Sequence, residues 1–221
     1  MRRTEHALRR EVSDLSKLVW ERGWVANHDG NLTALVAPGR ILATPTALSK
    51  RVIEPDMLIV VDESRRVVRG RLRPFSELGL HLAVYAARPD ASAVLHAHPP
   101  HATARATTGH ALPCFLPESV VSMGAEIPLV PFTAPGAAAE AALAPFLEEA
   151  EGVLLEGHGV LTWGADPEQA FLRMELIEHL ARIAWLAQAT GGVRLLPADL
   201  IEQLLAKRAA AGLGPRGRRR P

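Results

Sequence analysis

Ala93-Val94-Leu95-His96-Ala97-His98-Pro99-Pro100 reads as a buried β-strand that ends in two histidines and is stopped by two prolines. Successive side chains of a strand point to opposite faces, so His96 and His98 share one face and Ala97 lies on the other. Two parallel imidazoles offer two nitrogen ligands to a borderline-soft cation. The alternative reading of the same pattern is a pair of partly exposed surface histidines.

Working outward, Leu78, Leu82 and Tyr85 recur at helical spacing just before this strand. Ser76 reads as the N-cap of that helix, and Arg88-Pro89-Asp90 ends it because proline disfavours helix in the residue ahead of it. Further upstream, short β-type runs at 32–37, 40–43, 57–61 and 67–69 are separated by Pro-Gly, Glu-Pro-Asp and Asp-Glu-Ser turns. An amphipathic helix over 4–22, with Leu8, Val12, Leu15, Leu18 and Val19 on its apolar stripe and Gly23 as its stop, opens the chain. Downstream, the pattern predicts a short helix at 101–107, an irregular proline-bearing stretch and a strand at 129–132. A helix at 137–150, a hairpin of 152–155 with 160–163 and a long helix at 167–189 complete it. Strands grouped around tight turns, not strict βαβ alternation, imply an α/β fold with a mostly antiparallel central sheet flanked by helices. No GxGxxG follows the first strand, which leaves a dinucleotide site without support.

Composition narrows the function classes. The 221 residues, 48% of them hydrophobic, suit a single domain over 1–212 with a large core. Lys+Arg at 25 and Asp+Glu at 24 leave a formal charge of +1, and Arg216 and Arg218 to Arg220 carry much of the excess. The body is thus near neutral, which gives no case for nucleic acid, and 213–221 reads as a basic, disordered tail. Cys114 is the single cysteine, so no intramolecular disulfide or thiolate cluster can form, and a metal site has to use nitrogen and oxygen. That usage fits a reducing cytoplasm. A charged amphipathic stretch follows Met1 where a signal peptide would need an apolar core, and no segment approaches the roughly 20 apolar residues of a membrane span.

Glu156-Gly157-His158-Gly159-Val160 adds a third histidine, at a tight glycine-flanked turn between two apolar strands, where its ring can approach a metal closely. Three histidines with an open fourth position are the usual form of a catalytic zinc site; a turn histidine without a ligand role is the plainer alternative. Pro74-Phe75-Ser76-Glu77 places a carboxylate in the first turn of the helix that leads into the His96 strand, so Glu77 is a candidate acid/base beside the metal. It can equally be a residue that complements the helix dipole. Asp29-Gly30-Asn31-Leu32-Thr33 and Thr44-Pro45-Thr46 are small polar turns able to hold an anion. His81, four residues after Glu77, and His101, three after His98, are candidate supporting donors outside the ligand set.

Taken in order, Gly30-Asn31, Thr44-Pro45-Thr46, Pro74-Phe75-Ser76-Glu77, His96-Ala97-His98 and Gly157-His158-Gly159 closely resemble the class II aldolase/adducin family over about residues 9–189. The resemblance implies a three-layer α/β/α sandwich assembled as a homotetramer, with active sites between neighbouring subunits and one zinc per chain. Manganese, cobalt or iron are compatible substitutes by geometry. His96, His98 and His158 match the family's metal histidines. Glu77 matches its acid/base and can also contact the metal when substrate is absent. Gly30, Asn31, Thr46, Ala47, Phe75 and Ser76 match positions that bind substrate phosphate and hydroxyls. Two of these depart from the pattern: Phe75 stands where a phosphate-binding serine is usual, and Ala47 where glycine is usual. A phenyl ring cannot donate a hydrogen bond, which removes about 1.5–3 kcal/mol of support for a charged acceptor. The family aldolase also uses a tyrosine in the segment matching 114–122; this chain's one tyrosine is Tyr85, in a helix, and Glu118 is the acid available in that segment. The implied activity is aldol cleavage or condensation of a small hydroxy-ketone through a metal-stabilised enediolate. Decarboxylation, epimerisation or dehydration of a related keto or hydroxy acid is the alternative, and a non-catalytic adducin-like module a third.

Overall fold

The computed structural model describes residues 4–218. In chain order it contains α1 (Glu5–Glu21), β1 (Asn31–Ala37), β2 (Arg40–Ala43), β3 (Ile59–Val61), β4 (Val67–Arg69), α2 (Leu78–Ala87), β5 (Ala93–Ala97) and α3 (Pro100–Ala106). There follow β6 (Leu112–Pro113), α4 (Pro117–Met123), β7 (Glu126–Ile127), β8 (Leu129–Val130), α5 (Ala137–Leu143), β9 (Gly152–Leu155), β10 (Gly159–Gly164), α6 (Pro167–Ala187), α7 (Ala198–Ala210) and α8 (Gly214–Arg218). Eight strands form one sheet in the order β4-β3-β2-β1-β5-β10-β9-β8. All its pairs are antiparallel except the parallel pair β8 and β9. The expected mostly antiparallel sheet flanked by helices is the architecture found.

Strand alternation divides the core into two layers. Leu32, Ala34, Leu95, Ala97 and Val160 face one side, where residues of α1, α3, α6 and α7 cover them. Val94, Val153, Leu161 and Trp163 face the other, against Leu80 and Val84 of α2 and Leu143 of α5, with Ile41, Ile59, Phe75 and Leu78 continuing that layer toward β3. His96 has the parity of Val94, so the strand turns it toward the α2 layer. Register then aligns Asn31 of β1, His96 of β5 and Leu161 of β10 side by side across three neighbouring strands. This row, at the β5 end where Pro99 and Pro100 stop the strand, is where polar side chains replace the apolar core.

Several local expectations differ from the structure. Glu77, not Ser76, is the N-cap residue of α2; it has φ −86° and ψ 8°, and no side chain caps the helix. Its carboxylate is engaged elsewhere, as described below, so the dipole reading does not hold. The helix expected over 137–150 stops at Leu143 and gives way to a 3₁₀ turn at Ala144–Phe146, where Pro145 interrupts it. The stretch expected to be irregular contains α4, seven residues long with Pro117 at its start. α7 received no assignment from the sequence, although Leu200, Ile201, Leu204, Leu205 and Arg208 recur at helical spacing. Gly214–Arg218 is helical where a disordered tail is expected, and the tail's Arg219 and Arg220 lie outside the described residues. Among the described residues no helix is long and apolar enough to cross a membrane.

Candidate metal centre

Three elements bring the histidines together. β5 supplies His96, the residue after it supplies His98, and the turn joining β9 to β10 supplies His158. Gly157 takes φ +63° to make that turn, and a Cβ on Gly159 would meet Ala97 O at 2.6 Å and His98 Cδ2 at 2.5 Å. Only glycine lets the hairpin pack this closely on the histidine strand. The three rings form a near-equilateral triangle, with centroid separations of 4.9, 4.7 and 5.1 Å. One nitrogen from each lies within 4.8 Å of the other two.

Hydrogen bonds fix which nitrogens face inward. His96 Nδ1 donates to Val160 O at 2.9 Å; since a carbonyl only accepts, Nδ1 carries the proton and Nε2 keeps its lone pair. That Nε2 lies 3.1 Å from His98 Nε2. Two nitrogens bound ~2.0–2.1 Å from a tetrahedral ion stand roughly 3.3 Å apart, so the spacing and the donor set fit a divalent cation between them. On its far side His98 Nδ1 faces Asp29 Oδ2 at 3.6 Å, a supporting carboxylate that the sequence reading assigned only to an anion-holding turn.

Glu77 closes the group. Its Oε1 is 2.9 Å from His158 Nε2, its Oε2 is 3.6 Å from His96 Nε2, and Oε2 accepts from Asn31 Nδ2 at 3.0 Å. Burial raises the Glu77 carboxyl, but the adjacent His96 and His158 and the Asn31 amide outweigh it and hold the group well below the usual carboxylate range. The Glu77 hydrogen bond raises His158. Burial pushes His96 down to about 4, which leaves it neutral near pH 7 with its lone pair available.

The other predicted site residues are distributed as follows. Gly30, at φ +69°, packs so tightly that a Cβ would meet Val25 Cγ1 at 2.4 Å and His96 O at 3.0 Å. Asn31 is buried, and its Oδ1 has no partner. Thr46 N donates to Arg73 O at 2.9 Å, tying its turn to the segment that carries Ser76 and Glu77. Ala47 has φ +62°, the conformation that favours the glycine expected there. Ser76 is exposed and lines a cavity with Glu77 and His158. Phe75 is buried with its ring against His81 at 5.1 Å, so it serves packing at this position. His81 is fully buried behind the site: its Nδ1 bonds Thr33 Oγ1 at 2.8 Å, and Thr33 Oγ1 bonds Tyr85 Oη at 2.8 Å. Thr33 was not singled out from the sequence, although its parity on β1 places it beside Asn31's face. His101 pairs with Glu178 at 2.7 Å on the other layer, and Glu118 is an exposed residue in the first turn of α4. Neither belongs to the group around Glu77.

Comparison with known proteins agrees with this geometry. Residues 10–185 match the model of the Class II Aldolase and Adducin N-terminal domain. The chain is 30% identical over 208 residues to the 3-oxo-tetronate 4-phosphate decarboxylase of Escherichia coli K12, covering 91% of this chain and 97% of that protein. It is 28% identical to the 5-deoxy-D-ribulose 1-phosphate aldolase of Bacillus thuringiensis, covering 90% and 94%. The crystal structure of YgbL from Escherichia coli superposes with a TM-score of 0.84 at 29% identity, covering 90% of this chain and 98% of that one. A family match over most of the chain, carried on a fold that gathers three imidazoles and a carboxylate, shows that this chain belongs to the class II aldolase and adducin family.

Proposed function

We propose that this chain is a divalent-metal-dependent carbon–carbon lyase acting on a small hydroxy-ketone through an enediolate. His96, His98 and His158 hold the ion, zinc in this reading, and Glu77 moves the proton. The observation that supports it is the convergence of three imidazoles around one carboxylate at the mouth of a cavity. An ion held there acts as a Lewis acid, drawing charge onto a substrate carbonyl oxygen. Glu77, kept ionised by its neighbours, is a base at neutral pH and can return the proton to the same carbon. Asn31 orients that carboxylate through its Nδ2, and its unpartnered Oδ1 is an acceptor for a substrate hydroxyl. The small turns at Gly30, Thr46 and Ala47, together with Ser76, form the rest of the substrate-binding set, and Phe75 supports it by packing on His81. The working form in this proposal is a cytoplasmic homotetramer with active sites between subunits. An adducin-like module without catalysis would have no use for the Glu77 arrangement.

Decarboxylation of a keto acid uses the same enediolate, and one structural feature favours it as the second reading. Tyr85, the only tyrosine, is partly buried with its hydroxyl bonded to Thr33, and desolvation raises its phenol, so this chain supplies no tyrosine acid for a leaving alkoxide. Carbon dioxide leaves without needing one.

Metal content, native mass and turnover test the reading together. We expect about one divalent ion per wild-type chain and none in His96→Ala, with Glu77→Gln keeping the ion but losing about 10²–10⁴-fold in turnover on hydroxy-ketone phosphates or keto acids. Wild type that takes up no metal under loading conditions would sink the lyase reading, and release of carbon dioxide decides between its two forms.

A further inference from the structure

The three histidines of the candidate metal centre are not held in the same way. His96 sits inside β5, paired on one side with Asn31 of β1 and on the other with Leu161 of β10. His158 is fixed by the short turn that joins β9 to β10. His98 follows Ala97, the last residue of β5, and its N–H donates to Trp24 O at 2.8 Å, where a residue inside the sheet would use a neighbouring strand. The place of His98 therefore depends on the segments on either side of it.

Both segments lead to α6. Trp24 stacks on Phe171 of α6, with ring centroids 5.2 Å apart. Beyond His98, Pro99 and Pro100 run directly into α3; a proline ring fixes φ and restricts the residue before it, so the step from histidine to helix has little freedom. Thr103 N donates to Pro99 O at 2.8 Å, which makes Pro99 part of the first turn. One buried carboxylate holds that turn: Glu178 of α6 accepts from His101 N at 3.2 Å, from Ala102 N at 2.8 Å and from His101 Nδ1 at 2.7 Å. The two backbone N–H groups are among the four that the start of a helix leaves without an internal partner. A carboxylate suits three donors because both its oxygens only accept; Glu178→Gln would turn an NH₂ group toward one of them. The Trp185 ring flanks the pair, 5.8 Å from the ring of His101.

We infer that Glu178 is a positioning residue for the metal centre: by holding the start of α3 it sets, through the stiff Pro99-Pro100 link, where the His98 ring meets the ion. This inference rests on the metal-dependent reading above. Glu178 lies in the layer opposite Glu77 and acts through the chain, so its effect falls on the geometry and affinity of the ion and not on proton transfer.

Cobalt(II) is the probe, added to the full-length protein and read by its affinity and by the visible absorption bands that report its coordination geometry. Residues that orient metal ligands from outside are worth about 10–100-fold in affinity, and we expect Glu178→Gln to bind cobalt about tenfold more weakly than wild type, with shifted bands. Pro100→Gly, which loosens the link and leaves the Glu178 carboxylate in place, should weaken cobalt in the same direction, and it decides alone if Glu178→Gln does not fold. Thr162→Val is the control for damage to the seat of α6: it removes the bond from Thr162 Oγ1 to Ala170 O at 2.8 Å, and it should lower Tm while leaving cobalt affinity and bands unchanged. If Glu178→Gln or Pro100→Gly binds cobalt as wild type does, or Thr162→Val weakens cobalt as much as they do, the inference falls and the metal centre stands. Wild type that takes up no cobalt overturns the metal-centre reading and this inference with it.

Discussion

At each end of the β9–β10 hairpin one glutamate is faced by three nitrogen-bearing side chains, and the two arrangements have opposite chemistry. Ahead of β9, Glu151 is 1% exposed and meets Arg88 at 2.9 Å, Arg173 at 3.0 Å and Arg208 at 2.7 Å. At the far turn His158 meets Glu77, beside His96 and His98. Guanidinium groups are always charged and only donate. Here they also donate to backbone carbonyls: Arg88 to Leu147 at 3.2 Å and Ala150 at 2.5 Å, Arg173 to Trp163 at 2.6 Å, and Arg208 to Val121 at 2.8 Å and to Ser122. That cluster satisfies itself and pins α6 and α7 to the sheet. Imidazoles behave differently: burial lowers His96 and His98 and favours their neutral, lone-pair-bearing form, Glu77 raises His158, and one nitrogen of each lies within 4.8 Å of the others. The first arrangement is complete as built, and the second is poised for a cation.

The largest test of this contrast is Glu151→Ala. It removes the carboxylate that three arginines share, two of them almost fully buried, while Arg88 keeps its pair with Asp90, and we expect about 3–5 kcal/mol of stability to be lost in a denaturant titration. Glu77→Ala in metal-free protein should cost less, about 1–3 kcal/mol, chiefly because the buried Asn31 amide loses its acceptor. Similar losses for the two would remove the distinction between a structural and a functional cluster.

Zinc acts on one end only. At 100 times the dissociation constant it should stabilise the wild type by about 2.7 kcal/mol, and His96→Ala should show no such gain. Protons compete for the same nitrogens. Glu77 raises the pKa of His158, so zinc has to displace a proton there over more of the acidic range, and the zinc-dependent rise in Tm should be smaller at pH 6 than at pH 8. Equal shifts at both pH values would mean that His158 is not a ligand.

Lys50 lies between the two cases: a buried ammonium that donates to His28 O at 3.2 Å and Leu48 O at 3.0 Å and so ties the Asp29 turn to the Ala47 turn. Burial pushes it down to about 8, and Asp29 opposes that only in part. Below pH 8 both folded and unfolded chains hold the proton, and the full cost of burying the charge is present. From pH 8 up to the ordinary lysine range the unfolded chain keeps a proton that the folded chain releases, so stability rises with pH, by up to about 1.4 kcal/mol per pH unit. Tm measured from pH 7.5 to 9.5 should climb in wild type relative to Lys50→Met; parallel profiles would show that the ammonium reaches solvent.

The two clusters were unequally legible in the sequence. His96 and His98 are two residues apart on a strand, and His158 sits between glycines at a turn, so local periodicity and turn chemistry expose both. The antiparallel sheet was readable for the same reason, from short strands joined by tight turns. Glu151 and its arginines come from four separate elements, and nothing local separates a buried arginine from a solvated one. Glu77 is legible as the acid/base beside the metal from its type and place in the first turn of a helix, whereas its contacts with Asn31 and His158 are tertiary and leave no local signal. α4 was missed because seven residues between prolines carry too little periodicity, while α7 was missed although its spacing was there to read.

The smallest expected effect concerns backbone strain. Of the three non-glycine residues with positive φ among the described residues, Asn27 at 49° and Ala47 at 62° lie in the two turns that Lys50 links beside His98. Asparagine tolerates that region; alanine pays about 1–2 kcal/mol in it. Glycine at 47 would relieve the strain but give the unfolded chain more freedom, worth about 0.5–1 kcal/mol in the other direction. Ala47→Gly should therefore raise stability by less than about 1 kcal/mol, whereas Ala→Gly in a helix lowers it. A loss at position 47 would mean that the methyl group is held by contacts that outweigh the strain. A gain would show that the functional end of the sheet carries backbone strain which a single atom group imposes, close to the residues that have to be held in one geometry for the chemistry.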